Sequence, residues 1–325
     1  MAPSLPDFAD LPVREGLPPG SSWGVWGDDD RLGCLNLLGE ERTRAGLSAV
    51  VDARVFSLNL ELDLPDPPLF GRPAFRHDVS WLAGGAGHDD SLSDWNTQSS
   101  SQWDGFRHIR HPLYGFYGGV DDERHGVDVW AARGIVGRAV LCDVGRWREA
   151  EGRPIDYAEA DPIEPDDVRG ALAAGGTQVE TGDILLLRTG WLRWYRSLDA
   201  AGRTALRTGH RAPGLRPGTA TAAMLWDLHI AALASDNPAV EVWPPGATLA
   251  PDKRDAVRAD PERCHEAFVH FSLLALLGLP LGELFDLDAL ADAVAADGRS
   301  ACLLTSAPLR LRHGVASPAN ALAIR

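Results

Sequence analysis

Five short strand-like runs, several of them nearly all apolar, constrain the fold of this chain most: VGRAVLCDV (136–144), DILLLRTG (183–190), HIAALASD (229–236), ACLLTSAPL (301–309) and the closing ALAIR. A strand with one wet face alternates polar and apolar residues, so runs without that alternation belong to central strands covered on both faces. A sixth run, RVFSLNLEL, does alternate, setting Val55, Ser57 and Asn59 against Phe56, Leu58 and Leu60. Helical patterns fall between the runs, at 40–51, 164–176, 198–209 and 217–229. Two more lie between 263 and 298, punctuated by Gly278, Pro280 and Gly298. This alternation specifies an α/β fold with a mixed β-sheet core and flanking helices. With no internal repeat and no low-complexity linker, residues 51–325 read as one α/β domain. Residues 1–50 read as an N-terminal arm rich in Trp, Gly and Pro, whose Trp23 and Trp26 need cover from the chain's own body or from a second subunit.

The formal charge of −15 opposes nucleic acid and anionic membranes as partners, since both reward a basic face. The one basic cluster, RHIRH at 107–111, is too short to reverse that and fits a solvated or site-lining role. Lys253 is the only lysine, which disfavours Schiff-base chemistry and excludes a Walker-type phosphate loop. Cys34, Cys142, Cys264 and Cys302 form no CxxC pair, so neither a zinc knuckle nor a disulfide framework is indicated. No run has the length of a membrane span, and the start MAPSLPDFADLP lacks the basic end and apolar stretch of a signal peptide. The expectation is a cytoplasmic protein acting on a small molecule.

Several motifs fail. In HEAFVH, His265 and His270 are five residues apart, about 140° around a helix, so they cannot share a zinc as a metalloprotease pair would. No GxSxG elbow occurs, and GGAG at 84–87 lacks dinucleotide-loop spacing. The segment NTQSSSQWDGFRHIRHP (96–112) is more telling. It concentrates hydroxyls and amides in a stretch suited neither to helix nor to strand. Asp104 and His108 would share a face if the chain turns helical after SSSQW, and a carboxylate can fix an imidazole's tautomer or share a metal with it. The plain alternative is a capping Asp and a surface His. Glu283, in the apolar GLPLGELFDLDALA, is either a helix-start carboxylate or a buried one with a raised pKa, as a general acid or base requires. His270 lies among leucines, where a core role is the default.

Taken together, the 98–108 segment, GDILLLRTGW (182–191), SDNPAVE (235–241), HFSLLALLGLPLGELFDLDAL (270–290) and SPANALAIR (317–325) resemble the cyclase family that includes the kynurenine formamidases (arylformamidases), isatin hydrolases and polyketide cyclases. The resemblance runs from about residue 50 to the end. SSWGVWGDDDRLGCLNLL (21–38) resembles one bacterial branch. The family signature HxGTHxDxPxH places its aspartate on Asp104 and its last histidine on His108, while Gln98 and Gln102 stand where the family has its first two histidines. The family's downstream His and Glu correspond to His270 and Glu283.

The resemblance implies a hydrolase acting on an amide, formamide, lactam or lactone through activated water, with His108, Glu283 and His270 catalytic. Asp104, His108 and Glu283 would hold a divalent metal, which the two glutamines steer from zinc toward manganese or magnesium, because an amide oxygen is a poor zinc ligand. Without an ion, the amides would instead donate to a substrate carbonyl, as in a metal-free cyclase or dehydratase using His108 and Glu283. A non-catalytic binding protein on the same scaffold is the third alternative. In each case Gln98, Gln102 and Trp103 contact the substrate. The hydroxyls of QSSSQW line its pocket, and Phe106, Tyr114, Phe116 and Tyr117 add surface for an aromatic ligand. Relatives form dimers or tetramers, so a homo-oligomer is expected.

Overall fold

The computed structural model describes residues 5–176 and 178–325. Among these, nine strands form one mixed sheet. Their order across it is Val55–Ser57, Ala321–Ile324, Ala301–Ser306, Ile135–Asp143, Ile184–Arg188, Ala232–Ser235, Leu281–Glu283, Gln102–Asp104 and Ala316–Pro318. The consecutive members from Ile135–Asp143 to Leu281–Glu283 are parallel, and the remaining neighbours are antiparallel. The expected mixed α/β architecture is therefore the one found. Two of the apolar runs take the centre, where every residue of Ile184–Arg188 and of Ala232–Ser235 is buried, whereas the ALAIR strand lies next to the edge with Leu322 exposed. The alternating run goes to the edge, where Phe56 is buried between exposed Val55 and Ser57.

The expected helices appear at Glu40–Ser48, Pro165–Ala174, Ala200–Gly209 and Thr219–Asp227. Pro165 opens its helix behind a capping box in which Glu164 and Asp167 answer each other's backbone N–H groups. Glu40–Ser48 lies against the sheet through Gly46, where a Cβ would come within 2.7 Å of Leu303 Cδ1 and 2.9 Å of the Gly137 carbonyl carbon. Only glycine lets that helix approach so closely.

Three segments differ from expectation. The stretch after SSSQW does not turn helical: Gln102–Asp104 is a strand paired on both sides. The leucine-rich region expected as two helices holds a 3-10 turn (Pro261–Glu266), a π-helix (Phe271–Leu276), the strand Leu281–Glu283 and only then an α-helix (Asp288–Asp297). Gly278, with φ of +59°, and Pro280, which has no N–H, stop helical propagation between them. A hairpin of Arg76–Trp81 with His88–Ser93 was not foreseen.

The arm packs on its own body. Ser22 N–H donates to Leu276 O (3.0 Å), the Ser22 hydroxyl to Leu277 O (2.9 Å) and Trp23 Nε1 to Ala275 O (2.9 Å). These carbonyls end the π-helix, where intrahelical partners run out, so the arm serves as its cap. No helix among the described residues is long and apolar enough to cross a membrane, and all four cysteines are buried and unpaired.

Candidate active site

Strand register assembles the site. In the antiparallel pair, Gln102 stands opposite Glu283, Trp103 opposite Gly282 and Asp104 opposite Leu281. Side chains alternate along a strand, so Gln102, Asp104 and Glu283 share one face and Trp103 takes the other. There Trp103 is wholly buried, packs against Phe285 at 4.9 Å and donates through Nε1 to Ser306 Oγ at 2.9 Å. This corrects the expectation that Trp103 walls a substrate pocket: it is a pillar of the core. Gly282 is needed for the same reason, since a Cβ would meet Phe285 Cε2 at 2.6 Å and Ala234 Cβ at 2.8 Å.

On the face opposite Trp103, Gln102 Nε2 donates to Glu283 Oε2 at 2.7 Å, the direct result of their cross-strand pairing. His270, at the mouth of the π-helix, places Nε2 3.4 Å from Glu283 Oε1. One ligand atom each from Asp104, His270 and Glu283 lie within 4.8 Å of one another, and all three residues are buried. Two neighbouring oxygens, Asp104 Oδ2 and Gln102 Oε1, are buried without a hydrogen-bond partner. Unsatisfied buried oxygens in a native fold call for an explanation, and a cation is one.

Glu241 holds the histidine in place. It accepts from Val269 N–H (2.5 Å), from His270 N–H (3.0 Å) and from His270 Nδ1 (2.6 Å). With the Nδ1 proton committed to Glu241, Nε2 faces Asp104 and Glu283, the carboxylate–histidine arrangement that orients metal ligands. Burial opposes charge on His270, but hydrogen bonds and charge from Glu241 and Glu283 outweigh it and raise the imidazole to about 10. Burial, reinforced by Asp104, raises Glu283 to about 7 against the pull of His270 and Arg72. Positive backbone φ at Val240 (57°) and Leu284 (55°), each beside one of the two glutamates, marks local strain of the sort that gathers at functional sites.

His108 sits one step back. Its Nε2 is 3.9 Å from Asp104 Oδ2 and its Nδ1 is 3.0 Å from Gln98 Nε2, which also donates to Asp104 Oδ1 at 2.8 Å. The three residues that converge are thus Asp104, His270 and Glu283, whereas the ligand set expected from the sequence had His108 in place of His270. The reason is local: the chain leaves the strand after Asp104 and bends away, so spacing of four residues does not bring His108 onto a shared helical face. Burial lowers the His108 pKa, only partly offset by Asp104.

Other expected contacts resolve elsewhere. The Ser99, Ser100 and Ser101 hydroxyls donate to Asn96 O, Glu61 O and Leu284 O, and Ser101 Oγ also accepts from Leu60 N–H. They knit loops to the strand instead of facing a ligand. Phe106 and Tyr117 pack together in the core at 4.8 Å. His111 stacks on Tyr114 and meets Cys264 Sγ at 3.3 Å, beside a separate cavity of about 320 Å³ under the arm.

This arrangement has known relatives. The chain matches the Cyclase family, described as "Putative cyclase", over residues 49–242, more than half its length. It belongs to that family. The crystal structure of a novel cyclase is 27% identical, with a TM-score of 0.78 over 94% of this chain and 97% of that one. Isatin hydrolase A from Labrenzia aggregata, bound to benzyl benzoate, is 21% identical (TM-score 0.59, 88% of this chain, 98% of that one). Isatin hydrolase A from Ralstonia solanacearum is 18% identical (TM-score 0.57, 86% and 95%). The two hydrolases share the fold. No curated protein matches the chain.

Sequence reasoning passed over Glu241 in this cyclase-family chain, although SDNPAVE was among the segments that carried the resemblance. Glu241, like Glu283, is a lone carboxylate in apolar sequence surroundings, and that is the signal it carries.

Proposed function

We propose that this cyclase-family chain is a hydrolase of the kynurenine formamidase (arylformamidase) kind. It cleaves a C–N or C–O bond in a small amide, formamide, lactam or lactone at a divalent-cation site built from Asp104, His270 and Glu283. The observation that carries this reading is the pair of unpartnered buried oxygens, Asp104 Oδ2 and Gln102 Oε1, beside three convergent ligand atoms. The donor set fits: one imidazole nitrogen and two carboxylates, with an amide oxygen at hand, suit manganese or magnesium as well as zinc. A divalent ion there supplies Lewis-acid polarisation of a carbonyl and acidifies water.

The chain's own residues supply the rest. Glu241 keeps the His270 proton on Nδ1 and so keeps the Nε2 lone pair directed at the site. His108, whose pKa burial lowers, is the candidate base for the proton that water gives up. Gln98 bridges His108 to Asp104 and fixes their relative orientation.

A second reading, a metal-free cyclase or dehydratase, is favoured by one observation. The imidazole of His270, raised to about 10, is a proton donor to Glu283 when no cation competes.

The test assays purified protein, chelated and then reloaded with Mn²⁺, Mg²⁺ or Zn²⁺, on N-formyl aromatic amines and cyclic amides. Activity should return only on reloading. His108→Ala and Glu283→Gln should each lower kcat/KM by roughly 10²- to 10⁴-fold. Undiminished turnover after chelation would shift the reading to metal-free acid–base chemistry, and full activity in both variants would remove these residues from the mechanism.

A further inference from the structure

Arg72 is a cation beside the site that pairs with no carboxylate among the described residues. Its Nη1 donates to the Gln98 carbonyl, and its guanidinium carbon lies 4.8 Å from the centre of the Phe70 ring. Burial lowers its pKa while the charges of Glu283 and Asp104 oppose that shift, so both acids lie within electrostatic reach. Neither forms an ion pair with it, nor does any other Asp or Glu among the described residues. A guanidinium carries five N–H donors in a planar fork shaped for a carboxylate, and the Gln98 carbonyl occupies one of them. Keeping an arginine half-buried and unpaired is costly unless something else answers the charge.

The side chains around it form an aromatic wall. The Phe70 ring meets His210 edge-on at 4.8 Å and Trp243 at 4.9 Å, and His210 stacks on Trp243 with planes 9° apart. Trp243 meets Phe268 at 6.4 Å, and Phe268 lies flat on His270, 4.5 Å away with planes 1° apart. The contacts thus run from Arg72 to His270, and through Gln98 back to Asp104. Within this circuit His210 is 7% exposed, its Nδ1 is bonded to Leu206 O at 3.1 Å and its Nε2 has no partner. With the proton on Nδ1, that buried Nε2 is an unused acceptor.

We propose that Arg72 is a specificity-determining residue that holds the carboxylate of an aromatic substrate. The ring lies along Phe70, Trp243 and Phe268, and an N–H or O–H of the same substrate donates to His210 Nε2. The inference deepens the hydrolase reading by naming its substrate class, and rests on that reading only for the reaction, not for binding. Two planar hydrogen bonds from guanidinium to carboxylate, with aromatic stacking alongside, select an anionic ring over its neutral counterpart.

The test measures binding apart from turnover. Full-length protein is held in chelator, and calorimetry compares 2-formamidobenzoate with formanilide and benzoate with benzamide. Wild type should bind each carboxylate at least tenfold more tightly than its neutral partner. Arg72→Gln should erase the preference, bringing each carboxylate and its neutral partner to similar affinity, and Arg72→Lys, which keeps the charge without the fork, should retain part of it. Equal binding of each pair by wild type, absent binding of the carboxylates, or a preference that survives Arg72→Gln overturns the proposal. If the preference is present and metal-loaded protein hydrolyses neither formamide, the hydrolase reading falls and this one stands. If both formamides are hydrolysed with no preference between them, this one falls alone.

Discussion

Two buried aspartates, Asp104 and Asp236, lie on neighbouring parts of one sheet and are both essentially inaccessible to solvent. Asp236 directly follows the central strand Ala232–Ser235, and its oxygens are fully employed. Oδ1 accepts from the Thr189 N–H and hydroxyl, each at 2.7 Å, and Oδ2 accepts from Gly190 N–H at 2.8 Å. Asp104 accepts one bond from Gln98 through Oδ1, while Oδ2 has none. Burial alone therefore does not distinguish a working carboxylate from a structural one. The distinction lies in whether the protein itself has satisfied the oxygen. Asp236 ties two strand ends together, whereas Asp104 leaves one oxygen without a partner among the described residues.

That contrast gives its largest predicted effect in a pair of substitutions. Asp236→Ala strands three donors in the core and should lower unfolding free energy by about 3 kcal/mol or more, read from urea denaturation. Asp104→Asn removes like charge beside Glu283 and should cost under about 1 kcal/mol, while abolishing cation binding. Comparable stability losses in the two would erase the distinction.

A smaller effect is expected one layer out. Glu241→Gln keeps the shape of the residue that orients His270 but weakens its grip on the Nδ1 proton. It should reduce cation affinity by roughly 10- to 100-fold with little change in fold, measured by calorimetric titration. Unchanged affinity would show that the Glu241–His270 pair is structural, like Asp236.

The pH dependence of metal-free protein gives the gentlest comparison. His270 is raised from 6.5 to about 10 in the folded state. Its favourable contribution is therefore complete below pH 6.5 and disappears as pH climbs through 10. Glu283, raised from 4.5 to about 7, disfavours folding once ionised, and that penalty is relieved as pH falls from 7 toward 4.5. Both lower stability as pH rises, Glu283 between 4.5 and about 7 and His270 between 6.5 and about 10, so Tm in chelator should decline across that whole span, and the difference between wild type and His270→Gln should shrink from neutral to alkaline pH. A gap that stays constant with pH would mean that His270 does not carry the linked proton.

Much of this was legible in the sequence, and unevenly so. The central strands announced themselves because burial on both faces removes polar residues, as in ILLLR at 184–188. The outer strands that build the site were missed because each spans only three residues, too few for any periodicity to register. Asp104, Glu283 and the glutamines were named through a resemblance, yet their shared face depends on the pairing of Gln102 with Glu283, 181 residues away. Once Gln102–Asp104 is a strand and not a helix, Trp103 must point away from Asp104. Period-two alternation turned an expected pocket wall into a core pillar. Arg72 gave no signal, since one arginine in a proline-rich loop looks like any other until Phe70, Trp243 and His210 are seen around it.

Asp104, His270 and Glu283 are proposed to hold one cation together. Calorimetric titration of chelated protein with Mn²⁺, alongside Asp104→Asn and His270→Gln, tests it most directly. The expected result is one ion per wild-type chain and none in either variant at the same concentrations. Binding of equal stoichiometry in all three proteins, or no binding to wild type, would contradict it.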